Sequence, residues 1–125
     1  MFDKIDSLKY FDKEVKFYTP TKKTAGRVKK IFRKEPITIT WMDNMKQGDI
    51  VIDIGANVGM YSLMSAVSRS ARVYAFEPEA SNYNILCQNI RLNNVGDRVT
   101  AYCAGNLDYD GFSVLNIAQD RDVGP

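Results

Sequence analysis

The middle of the chain alternates short apolar runs with stripes at helical spacing. DIVIDI (49–54) sets Ile50, Val51, Ile52 and Ile54 around one carboxylate, Asp53; its length and branched residues predict a strand. In MYSLMSAVS (60–68), Met60, Leu63, Met64 and Val67 share one helical face. ARVYAF (71–76) predicts a second strand. EPEASNYNILCQNIRLNN (77–94) predicts a helix with Tyr83, Leu86 and Ile90 as its stripe, closed by Asn93, Asn94 and Gly96. RVTAYCA (98–104) reads as a third strand, and DGFSVLNI (110–117), after an Asp-Gly turn, as a fourth. Strands alternating with helices predict an α/β fold with a doubly wound, mainly parallel sheet. VIDI is apolar on both faces, which predicts a central strand covered by helices on both sides.

Upstream, EVKFY (14–18) alternates weakly and predicts a short strand. Thr19-Pro20 offers a cap and a first-turn proline for a basic helix running to about Arg33, weakened by Gly26. A second short helix follows Pro36, where Ile37, Trp41 and Met45 fall at i, i+4, i+8. Residues 1–46 thus read as a basic helical extension, and residues 47–125 as the main unit.

Composition adds limits. With 125 residues, 45% hydrophobic and 26% charged, the chain suits one globular domain. The charged first residues contain no apolar signal core, and no run reaches membrane-span length; the expected location is the cytoplasm, with no membrane partner. Histidine is absent, which excludes histidine general bases, serine triads and His-ligated zinc within the chain. No metal site is expected. Cys87 and Cys103 read as small buried hydrophobes. The stretch 21–34 carries seven Lys/Arg and no acid. It lacks interleaved aromatics and reads as a solvated face, with no specific nucleic-acid partner expected.

Candidate chemistry sits after the first central strand. Asp-x-Gly-x-Asn-x-Gly places Asp53, Gly55, Ala56, Asn57 and Gly59 at the carboxyl end of a strand, where ligands of such sheets bind. Gly55 permits a tight turn and close approach of a ligand; Gly59 permits close packing of the next helix. The dinucleotide fingerprint would need glycines where Asn57 and Met60 stand, and no Gly-Lys-Ser/Thr follows. An acid before the turn suits a cationic ligand better than a phosphate. Glu77, one residue past ARVYAF, can accept from both hydroxyls of a ribose. Together these features describe S-adenosylmethionine. The plainer alternative is that Asp53 caps one helix and Glu77 opens another. An NAD-dependent enzyme and a non-catalytic module binding through the basic helix are the competing functions.

EPITITWMD (35–43), DIVIDIGANVGMYSL (49–63), VYAFEPEASNYNILCQNI (73–90) and DRVTAYCAG (97–105) resemble the FkbM family of S-adenosylmethionine-dependent methyltransferases. The resemblance implies a Rossmann-like class I methyltransferase fold. It implies Asp53, Gly55, Ala56, Asn57 and Gly59 as the cofactor loop, Glu77 on the ribose and Asn106, with Asp108, near the adenine. Glu35 and Thr38 match the family's EPxT element. It further implies O-methylation of a sugar or small-molecule hydroxyl. The family continues with a segment like Lys-Ile-Asp-x-Glu-Gly, which this chain lacks. The chain therefore reads as the truncated, cofactor-binding half, inactive alone, with no catalytic residue nameable and with an unpaired edge at VIDI open to self-association.

Overall fold

The computed structural model describes residues 4–106, 108 and 111–116. The chain opens with an antiparallel hairpin of β1 (Ile5–Tyr10) and β2 (Lys13–Tyr18). Only the second strand was legible, because Val15 and Phe17 give it a clean apolar face, both fully buried. The exposed face of β1 holds Ile5, Ser7 and Lys9, a pattern with little strand signal. Phe11 and Asp12 both take left-handed backbone angles, φ 51° and 60°, the geometry whose twist matches a two-residue hairpin. The Phe11 ring is held under the Arg69 guanidinium, 3.9 Å from its centroid.

Helix α1 (Lys22–Lys34) begins two residues later than the Thr19-Pro20 signal. Thr21 is its cap, accepting from the Thr24 amide while the Thr21 amide donates to Thr24 Oγ1. Thr19 is instead buried, its hydroxyl donating to Asp6 at 2.6 Å. Helix α2 (Pro36–Asp43) has its proline in the first turn, but its expected face is corrected. Ile37 is 85% exposed and Trp41 56%, while Met42 is fully buried. The helix ends at Asp43, so Met45 is no longer in phase with it and reaches the core from the following turn.

A parallel sheet follows, with β3 (Ile50–Ile54), β4 (Arg72–Phe76) and β5 (Val99–Tyr102) in the order β3-β4-β5. Helix α3 (Met60–Arg69) connects the first pair and α4 (Ala80–Leu92) the second. Both crossovers step the same way across the sheet, so one handedness sends both helices to one face, and both also pack on β2. The helices are thus a middle layer between hairpin and sheet, and residues from all three layers join one hydrophobic core, from Val15 and Phe17 through Leu63 and Leu86 to Val73. Buried Ser62 and Ser65 on α3 are small enough to let both outer layers come close.

Three expectations fail among the described residues, while the expected open edge at VIDI is found: β3 is an edge of this sheet. VIDI is not covered on both sides: Val51 is buried against the helices, but Ile50, Ile52 and Ile54 are more than 60% exposed. Residues 111–116 form no strand; Phe112 and Val114 lie open. Residues 110 and 117 of that expected strand lie outside the described residues. Nor are the cysteines buried: Cys87 is half-buried and Cys103 exposed. No described helix is long and apolar enough to cross a membrane.

Candidate cofactor site

Strands β3 and β4 run side by side in register, Asp53 opposite Ala75 and Ile54 opposite Phe76, so the loops after them emerge together. This brings Asp53, Gly55, Ala56, Asn57 and Glu77 to one edge of the sheet. Gly55 takes φ +74°, and a Cβ built there would meet nothing within 4 Å. The position is reserved by its backbone angle and by open space in front of it. Gly59 has a different role. It caps α3 at φ +95°, and a Cβ would stand 2.6 Å from Leu86 Cδ1 and 2.7 Å from Leu63 Cδ2. Its bare backbone lets α4 close on the loop.

The loop's N–H groups face the protein. Gly55 and Ala56 both donate to the Phe76 carbonyl, at 2.9 and 3.0 Å, and Gly59 donates to Ala56. The Asn57 amide donates to Glu77 Oε1 at 2.7 Å. A phosphate cradle needs such groups aimed at the ligand; here they are already used. That geometry disfavours the dinucleotide alternative more strongly than the missing glycines do.

What the site offers instead is acceptors. Glu77 is only 6% exposed, and its oxygens accept from the Asn57 and Glu79 amides. A carboxylate has about four acceptor positions, so two bonds leave room for a diol. Asp53 accepts from the Ser62 hydroxyl at 2.6 Å. Burial pushes its carboxyl above the usual carboxylate value; the Ser62 bond pulls the other way, and the nearby Glu77 charge adds to the rise. Asn57, at a left-handed φ of 59°, has a buried Oδ1 with no hydrogen-bond partner. Two carboxylates and an unused amide oxygen fit a ligand that carries a positive charge, an ammonium group and hydroxyls. S-adenosylmethionine has all three.

An open cavity of about 600 Å³ extends from Gly55 along Pro78, Cys103 and Asn106, bounded beyond by residues 111–115. Asn106 and Gly55 therefore share one space. Asp108 is exposed. Thr38 lies on α2, and Glu35 precedes that helix without a side-chain cap bond. Several participants had no sequence signal strong enough to single them out. Ser62 orients Asp53, the Phe76 carbonyl ties down the loop, and Tyr61 lies where Glu35 and Asp53 raise its phenol while Arg27 opposes them, burial being the largest cause. A hydroxyl in the first turn of the helix after the loop was the one available clue to Ser62.

A model of the TRM5/TYW2 methyltransferase domain matches residues 28–121. The chain belongs to this family. Among curated proteins, tRNA(Phe) (4-demethylwyosine(37)-C(7)) aminocarboxypropyltransferase of Pyrococcus horikoshii is 38% identical over 71 residues, 57% of this chain and 26% of that protein. Methyltransferase sdnD of Sordaria araneosa is 35% identical over 63 residues, 50% of this chain and 24% of its own length. The chain thus spans about a quarter of the curated relatives it matches. The crystal structure of P. horikoshii TYW2 with MeSAdo superposes with a TM-score of 0.58 at 26% identity, covering 86% of this chain and 38% of that one. A SAM-dependent methyltransferase from Geobacter sulfurreducens, solved with S-adenosyl-L-homocysteine, gives a TM-score of 0.51 at 17% identity, covering 58% and 29%; at that identity the likeness is one of fold.

This TRM5/TYW2 match establishes the Rossmann-like methyltransferase fold and membership of a methyltransferase-domain family. The cofactor expected from the sequence agrees with the ligands in both structures. The matched family is not the FkbM family that the motifs resemble. The expected sugar or small-molecule acceptor, with no specific nucleic acid, is overturned by a relative that acts on tRNA(Phe).

Proposed function

We propose that this chain is the cofactor-binding part of an S-adenosylmethionine-dependent transferase that modifies tRNA. The observation that carries the acceptor is the 38% identity, over 71 residues, to a protein named for tRNA(Phe). The observation that supports the cofactor is the acceptor-only cluster of Asp53, Asn57 Oδ1 and Glu77. In this reading Glu77 takes the ribose hydroxyls, and Asp53 and Asn57 Oδ1 face the ammonium end. Gly55 admits the cofactor, Ala56 and Gly59 shape the loop, and Asn106 lies toward the adenine. The bound cofactor supplies an electrophilic carbon on a sulfonium; the residues of this chain hold and orient it, and the gain is one of positioning.

Two groups on that sulfonium can be transferred. Methyl transfer leaves S-adenosylhomocysteine, and aminocarboxypropyl transfer leaves methylthioadenosine. Methyl transfer is the reading drawn from the family; the P. horikoshii relative favours the other. Incubating the full-length protein with a transcribed tRNA and labelled cofactor, and identifying the coproduct by chromatography, separates them. S-adenosylhomocysteine with labelled tRNA is the expected result. Cofactor binding without any label on tRNA overturns the acceptor.

A further inference from the structure

Helix α1 buries Thr24, Ala25, Val28 and Ile31, and every cation of the stretch 21–34 except Arg27, which is half-buried beside Ile31, lies off that face. Lys22, Lys29 and Arg33 form one stripe at i, i+7, i+11; Lys23, Lys30 and Lys34 form a second, about a quarter-turn away by helical geometry. Lys22, Lys29, Lys30, Arg33 and Lys34 are all exposed. Among the described residues, none of these five forms an ion pair with a carboxylate. Phe32, on the apolar face between Ala25 and Val28, is 41% exposed, with its ring 5.9 Å from that of Tyr10.

We infer that this face of α1 is a phosphate-binding surface for the RNA acceptor. The inference rests on the tRNA reading above and names the part of the chain that meets the nucleic acid. Helical spacing turns six of the seven basic residues into two adjoining stripes, five of them exposed, as a phosphate backbone requires. Arg27, beside the buried face and outside both stripes, acts on the Tyr61 phenol, as does Asp53, and α1 runs through Glu35 directly into α2. A membrane surface fits less well, because the apolar face a membrane-lying helix must insert is already packed on the hairpin.

The test is binding of a transcribed tRNA to the full-length protein over about 50–200 mM salt, for the wild type and for Lys29→Gln/Lys30→Gln/Arg33→Gln/Lys34→Gln. Each lost phosphate contact removes roughly 0.7–0.9 from the slope of log affinity against log salt. The quadruple variant should therefore lose a slope of about 3 and bind roughly ten- to a hundredfold more weakly near physiological salt. Its S-adenosylmethionine affinity and melting temperature should match the wild type, and Lys29→Arg/Lys30→Arg should bind as the wild type does. If the wild type binds tRNA and the quadruple variant binds it equally well, the α1 surface is overturned while the tRNA acceptor stands. If the wild type binds no tRNA even at low salt, the acceptor reading falls and this surface with it. If the four residues govern binding to phosphatidylserine vesicles and not to tRNA, α1 is a membrane face and the inference is wrong.

Discussion

Glu77 holds two loops. Its oxygens accept from the Asn57 and Glu79 amides, so it shapes the site as well as offering lone pairs to a ribose. Glu77→Ala should weaken S-adenosylmethionine binding about ten- to a hundredfold, the worth of a charge-assisted bond. It should also cost about 2–3 kcal/mol of stability, because two backbone donors lose their acceptor. Calorimetric titration alongside denaturant unfolding checks both. Asp53 acts in the opposite direction. Its carboxyl is raised above its unfolded value by burial, so the folded state binds its proton more tightly. Stability falls as pH climbs through that interval, and the cost is fully present above the folded value. Asp53→Asn should therefore melt higher than the wild type at pH 7, with the gap closing at acid pH below the unfolded carboxylate value, while cofactor affinity drops. A variant that melts lower at pH 7 would show that the Ser62 bond outweighs burial. The acids were legible because a carboxylate in an apolar strand is expensive without a purpose. What they bond to was not, since Ser62 lies nine residues away from Asp53 and the Phe76 carbonyl leaves no mark in a sequence.

Two glycines show how differently one residue type behaves within elements. Gly59 sits at the start of α3 with side chains of Leu86 and Leu63 where a Cβ would go, at a backbone angle that L-residues avoid. Gly59→Ala should cost about 2–3 kcal/mol from strain and overpacking combined, read as a lower denaturation midpoint. Gly26, inside α1, has nothing within 4 Å of its Cβ position. Gly26→Ala should stabilise the chain by about 0.5–1 kcal/mol through helix propensity alone. The central strands and helices were legible to within a few residues, since each pairs a strong apolar pattern with glycine or asparagine punctuation. Helix α2 was legible in position but not in orientation: eight residues give too few turns to tell Met42 from Trp41. DGFSVLNI misled because alternation reports only local pattern, whereas a strand also needs a partner strand, and residues 111–116 pair with none.

Across the whole molecule, Asn89 links what the sequence divides. It is fully buried on α4; its Oδ1 accepts from the Tyr18 amide of the hairpin and its Nδ2 donates to the Val58 carbonyl of the glycine loop. Asn93 repeats the tie at the edge, accepting from the Lys16 amide and donating to the Lys16 carbonyl. Asn89→Leu leaves a buried donor and acceptor stranded and should cost about 2–4 kcal/mol. It should also weaken cofactor binding without touching the cofactor, which titration of a variant still folded at low temperature would reveal. The layer order has a further consequence in time. Helices α3 and α4, clamped between hairpin and sheet, can release deuterium-shielded amides only when an outer layer lifts away, whereas β3 faces open space along one side. Hydrogen exchange should therefore be slowest in the helices and faster in β3, the strand that leads into the glycine loop, so that the molecule breathes first where its ligand is to be received.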